Sequence, residues 1–123
     1  MSIKGSPVPR ARSVEAYKTI QWSDENGVLV LKVPGKDFVL EQSQDLVDLV
    51  FDQPDRVSGD IILDLGGVSY INSSGVSVII RLNLEKNLRL VNPSPMVREI
   101  LELTGVLPFV PTFKSVEEAA ASF

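Results

Sequence analysis

The chain has 123 residues, of which 44 % are apolar, and carries a formal net charge of −4. That length suits one domain with one core, the apolar share is too high for general disorder, and the acid excess speaks against direct nucleic-acid binding, which calls for a basic patch. Cysteine and histidine are both absent, which removes disulfides, thiolate catalysis, cysteine zinc sites, the commonest general base and any Ser-His-Asp triad.

Residues 1–16 read as a flexible N-terminal arm, with Gly5, Pro7 and Pro9 set among Lys4, Arg10 and Arg12 and no apolar periodicity. The start MSIKGSPVPRARS lacks the apolar centre of a signal peptide, and no apolar run approaches the ~18 residues of a membrane span. A cytoplasmic protein with no membrane insertion is expected. The folded domain is expected over 17–123.

YKTIQW, residues 17–22, alternates as a strand does. DENG, residues 24–27, signals a turn because Asn26-Gly27 favours positive φ, and the β-rich VLVLKV, residues 28–33, completes a hairpin that Pro34-Gly35 ends. EQSQDLVDLVFDQP, residues 41–54, reads as a helix with a broad apolar face (Leu46, Val47, Leu49, Val50, Phe51) stopped by Pro54. GDIILDLGG, residues 59–67, suits a buried strand between glycines. A second helix is expected over about 73–86 and a strand over 88–91. NPSPMVREILELTG, residues 92–105, predicts a helix capped by Ser94, with Pro95 in its first turn and Gly105 closing it. PFVPTF, residues 108–113, reads as a final strand whose prolines confine it to an edge, and Ser115 caps a short terminal helix. Strands alternating with helices predict an α/β domain. Its mixed sheet of about five strands consists of an N-terminal hairpin followed by parallel strands, with about four helices.

YINSSG, residues 70–75, joins a strand segment to a helix. Three readings stand open: a helix cap, a serine nucleophile, or a serine modified by another protein. Asn72 or Ser73 can accept the first free amides of the helix, and Gly75 has no side chain, so another surface can come close there. A nucleophile elbow wants Gly-x-Ser-x-Gly, and no base is available. No Gly-rich loop leads into Lys-Ser or Lys-Thr to cradle a phosphate. Asp37, Asp64 and Glu85 are not paired by any spacing that suggests shared acid-base work. On the helix, Ser74, Ser77, Arg81 and Glu85 lie along one side; Val76, Ile79, Ile80 and Leu84 are expected to face the sheet, and Val78 and Leu82 to widen the apolar arc.

DLGGVSYINSSGVSVIIRL, residues 64–82, resembles the signature of STAS domains, in particular the bacterial anti-sigma factor antagonists. LVNPSPMVREILELTGVLPFVPTFKSVEEAAAS, residues 90–122, is similar to the C-terminal third of that family. The resemblance implies a STAS-like single domain and a partner-switching role. The unmodified protein binds an anti-sigma factor that is also a serine kinase, which frees a sigma factor. Phosphorylation of Ser74, with Ser73 as second choice, ends the binding, and a phosphatase resets the system. The antagonist catalyses nothing and needs no cofactor or metal of its own. By the same resemblance Gly35, Asp37, Asn72, Ser73, Ser74, Gly75, Ser77, Val78 and Arg81 form the partner surface. Arg81 lies about two turns from Ser74 and is not assigned to phosphate.

Two departures stand out. Asn72 replaces the usual Asp, which keeps capping chemistry but removes a carboxylate that kinase recognition could use. VPGKDFVLEQ, residues 33–42, keeps Gly35 and Asp37 of the family's loop but little else. Two other readings follow. One is a non-phosphorylated scaffold or accessory STAS domain in a stress-sensing or transporter complex. The other is a small-ligand sensor, which the sequence supports with no pocket of convergent polar groups. Oligomeric state is left open.

Overall fold

The computed structural model describes residues 19–52 and 59–123. The hairpin turns on Asn26 and Gly27, whose φ angles of 57° and 85° are both positive, as a two-residue loop between twisted strands demands. So tight a turn leaves Asp24 and Glu25 in the strand. β1 therefore spans Gln21–Glu25 rather than 17–22, and it pairs antiparallel with β2 (Val28–Lys32). Tyr17, Lys18 and the arm over 1–16 lie outside the described residues.

β4 (Asp60–Asp64) runs through the centre of a five-stranded sheet that also holds β6 (Asn87–Val91) and β7 (Thr112–Phe113), in the order β1-β2-β4-β6-β7, with every neighbour after the hairpin parallel. Ile61, Ile62 and Leu63 are all fully buried, because helices cover both faces, and this is why the strand reads as a continuous apolar run. Ile61 and Leu63 join Leu29, Leu31, Leu88 and Leu90 in the main core beneath α1 (Leu40–Phe51), α2 (Ser73–Glu85) and α3 (Pro95–Leu103). Ile62 and Val91 of β6 (Asn87–Val91) face the other way and are covered by Ala119 of α4 (Val116–Ala121).

Several ends follow local chemistry. Ser94 Oγ accepts the Val97 amide at 3.3 Å with Pro95 next to it, Gly105 takes φ 81° after α3, and Ser115 Oγ accepts the Glu118 amide at 3.1 Å. α1 begins at Leu40, one residue early. Its start has no polar cap side chain; Gln42 Oε1 reaches back to accept the Val39 amide at 2.9 Å. The helix ends at Phe51, and the expected stop at Pro54 lies outside the described residues. Of the strand expected over 108–113 only β7 (Thr112–Phe113) forms, at the sheet edge. Leu107–Phe109, around Pro108, make a 3-10 turn.

A further element was not expected. β3 (Asp37–Phe38) and β5 (Tyr70–Ile71) form a separate two-stranded parallel ladder. The expected inner face of α2 also needs correction. Leu82 is 0 % and Val78 4 % exposed, whereas Ile80 is 36 % and Leu84 78 % exposed. The helix is rotated so that Val76, Val78, Ile79 and Leu82 enter the core, because Gly75 seats its first turn on the β3–β5 ladder. Leu82→Ala is therefore expected to cost about 2–5 kcal/mol in urea denaturation, and Leu84→Ala to stay within about 0.5 kcal/mol of the parent.

Candidate functional site

The serine turn is built by the segment that leaves the central strand. Asp64 ends β4; its Oδ1 accepts the Gly66 amide at 2.9 Å and its Oδ2 faces Lys32 Nζ at 3.6 Å. The chain then turns into β5, which is stitched to the preceding loop. The Lys36 carbonyl accepts the Ser69 and Tyr70 amides at 2.7 and 3.1 Å, and the Phe38 carbonyl accepts the Asn72 amide at 3.3 Å. Exposed Gly35, Lys36 and Asp37 are thereby held beside the serine turn, although their stretch of sequence is a loose motif.

Asn72, not a serine, caps α2. Its Oδ1 accepts the Ser74 amide at 3.0 Å and the Gly75 amide at 3.3 Å. The hydroxyls of Ser73, Ser74 and Ser77 make no hydrogen bond among the described residues. Ser73 and Ser77 are exposed and Ser74 is half-buried. Gly75 is buried, and a Cβ there would stand 2.6 Å from both the Phe38 carbonyl oxygen and Ile71 Cγ1. The surface that comes close at Gly75 is thus the protein's own β3–β5 ladder, not an incoming one. Val78 likewise belongs to the core and reaches the site only from below.

Between α1 and α2 runs an open groove of about 410 Å³. Leu40, Val47 and Val78 line it with apolar surface, Ser43, Gln44 and Asp48 with polar groups of α1, and Ser74, Ser77 and Arg81 with those of α2. No such groove is legible in the residues; it forms where α1 and α2 pack side by side. The α1 residues escaped sequence reasoning, although the unusually broad apolar face of that helix, wider than a core contact needs, was the available signal.

Arg81 is held at the end of the groove remote from the turn. Its guanidinium stacks on the Phe51 ring at 3.9 Å and its Nε meets Glu85 Oε2 at 3.1 Å. Next to it, the hydrogen bond with Asp48 raises the pKa of Asp52 above the ordinary aspartate value; slight desolvation and the Asp48 charge add to this, and Arg81 opposes it. Among the described residues no three acidic side chains are grouped to hold a metal ion, and no helix is long and apolar enough to cross a membrane.

The chain belongs to the STAS domain family, whose model matches residues 19–119. It is 36 % identical over 76 residues to BtrV of Bordetella bronchiseptica, whose name marks it as a candidate anti-sigma factor antagonist; the match takes in 58 % of this chain and 66 % of BtrV. The fold is shared with the phosphorylated form of the Bacillus cell fate determinant SpoIIAA, at a TM-score of 0.67 and 19 % identity over 84 % of this chain and 97 % of that one. It is shared equally with a sulfate transporter family protein from Wolinella succinogenes, at 0.69 and 18 % identity over 81 % and 87 %.

Two outcomes follow from this geometry. Asn72→Ala is expected to cost about 1 kcal/mol by loss of the cap, and Asn72→Asp to retain or slightly raise stability, both read by urea denaturation. A carboxyl whose folded pKa is raised supports the fold fully below its unfolded value and loses that support as pH rises through the folded value. Asp52→Asn should flatten the fall in thermal midpoint that the parent shows across that acidic window.

Proposed function

We propose that this protein is an anti-sigma factor antagonist. In this reading it binds an anti-sigma factor that is also a serine kinase, releases a sigma factor, and is switched by phosphorylation of Ser74, with a phosphatase restoring the binding form. The chain itself performs no catalysis. The observation that carries this reading is the division of labour at the turn. Asn72 supplies the cap, so the Ser74 hydroxyl, half-exposed on the first turn of α2, is not needed by the fold. In this reading Gly35, Asp37, Asn72, Ser73 and Ser77 near the turn, and Arg81 two turns along α2, are the remaining contact residues, with Gly75 and Val78 supporting the face from beneath.

The energetics favour a switch of interface over a switch of fold. A phosphoserine adds about −1.5 to −2 charges and three acceptor oxygens. At a helix N-terminus that charge meets the positive end of the dipole, worth about 0.3–1 kcal/mol in stabilising direction. The domain keeps its structure while its contact surface gains a bulky, strongly hydrated group that a partner cannot cover. Kinship with BtrV supports the antagonist role. Asn72 in place of an acidic residue favours the second reading, a scaffold or accessory STAS domain that is never phosphorylated.

Incubation with the cognate anti-sigma kinase, ATP and Mg²⁺, followed by mass spectrometry, separates the two. One phosphate on Ser74, absent in Ser74→Ala, is the expected result. Ser74→Asp should denature at the parental midpoint yet bind the anti-sigma factor at least about tenfold more weakly, equivalent to ~1.4 kcal/mol. No phosphate on this turn would leave the scaffold reading, and a collapsed melting curve for Ser74→Asp would remove the interface explanation.

A further inference from the structure

We propose that a second cavity, at the carboxyl ends of β6 and β7, binds a small hydroxylated phosphate ester. This goes beyond the antagonist reading and does not depend on it, since the cavity shares no lining residue with the α1–α2 groove.

Where strands run parallel, the loops leaving their carboxyl ends are the usual place for a ligand. β6 ends at Val91 and β7 at Phe113, and the chain leaves the sheet at both points side by side: the Asn92 amide donates to the Phe113 carbonyl at 2.8 Å. Asn92 takes a φ of 54°, a conformation that asparagine tolerates better than most residues. A cavity of about 500 Å³ opens between these loops and the starts of α3 and α4. That volume lies within the ~300–1,000 Å³ of small-molecule sites.

The donors select the ligand. Arg98, Lys114, Asn92 and Thr112 line the cavity. Elsewhere in the described residues Lys32 and Arg81 meet carboxylates, and Lys86 and Arg89 meet aromatic rings. Arg98, Lys114 and Lys36 meet neither among the described residues, and two of these three side chains share this one cavity. The Asn92 carboxamide and the Thr112 hydroxyl likewise make no hydrogen bond among the described residues. A guanidinium fork and an ammonium together carry two positive charges, which match a dianionic phosphoryl group better than a single carboxylate.

The acid in the lining selects what the phosphoryl group is attached to. Glu118 Oε1 accepts the Lys114 amide at 3.2 Å, so this carboxylate is held to the backbone; its second oxygen makes no bond among the described residues. A carboxylate oxygen accepts from a hydroxyl group and disfavours a second phosphate. Half-buried Phe113 adds an apolar wall. A phosphate joined to a hydroxyl-bearing carbon frame engages all of these groups, whereas bare phosphate leaves Glu118 and Phe113 unused.

The test titrates the full chain, labelled with ¹⁵N, with glucose 6-phosphate, glycerol 3-phosphate, inorganic phosphate and glucose. Saturable amide shifts at Asn92, Arg98 and residues 112–118 are expected with at least one of the esters, with an affinity that falls as salt rises. Inorganic phosphate should move the same amides at least about tenfold more weakly, and glucose should move none. Arg98→Gln and Lys114→Gln, each checked for an unchanged circular dichroism spectrum, should weaken the ester by at least about tenfold, and Lys36→Gln should leave it unchanged. No saturable shift with either ester, shifts centred elsewhere, equal binding of inorganic phosphate or of glucose, or equal weakening by Lys36→Gln would overturn the inference. None of these outcomes bears on phosphorylation of Ser74, which is read separately.

Discussion

The backbone carbonyl of Phe38 is the point on which the serine face depends. It accepts the Asn72 amide at 3.3 Å, and it lies where any side chain at position 75 would begin. One oxygen thus couples three things: the end of the β3–β5 ladder, the N-cap of α2, and the depth to which the first turn of that helix sinks. The absence of a Cβ at Gly75 lets the helix approach this closely, and the approach sets its rotation. Rotation in turn decides that Leu82 is core and Leu84 is surface, and that Ser74 and Ser77 look across a groove toward α1.

Charge is distributed unevenly over this frame. Asp48 lines the groove from α1 and Arg81 from α2, the latter drawn to its far end by Phe51 and Glu85. Neither arrangement contributes much to folding, since exposed ion pairs are worth about 0–1 kcal/mol. Exposed charges of this kind act on the rate and selectivity of encounter more than on stability. The caps, by contrast, are local and stabilising: Asn72, Ser94 and Ser115 each take up amides that the helices cannot satisfy themselves.

A fold shared at similar TM-scores with SpoIIAA and with a transporter family protein cannot by itself assign a role. The discrimination has to come from the site. Here the start of α2 is capped by Asn72, and the Ser74 hydroxyl takes no part in the cap. A serine that capped its own helix would be occupied by the fold, and esterifying it would remove a stabilising bond. With Asn72 in that position the two duties are separate.

Much of this was legible in the residues themselves. The Asn26-Gly27 turn, the Ser94 and Ser115 caps, the Gly105 stop and the double-sided burial of the central strand all follow from local chemistry, which acts over a few residues and leaves a pattern in them. The motif over 64–82 carried the family for the same reason. What tertiary structure alone decided is of another kind. A two-residue parallel ladder between residues 37–38 and 70–71 has no periodicity to read. The inward face of α2 was misassigned because six apolar positions cover more than half its circumference, so sequence cannot choose among them. The close contact at Gly75 makes that choice. The groove, finally, takes one wall from each of two helices some thirty residues apart, and only their packing on a common sheet brings Ser43, Gln44 and Asp48 opposite Ser74, Ser77 and Arg81.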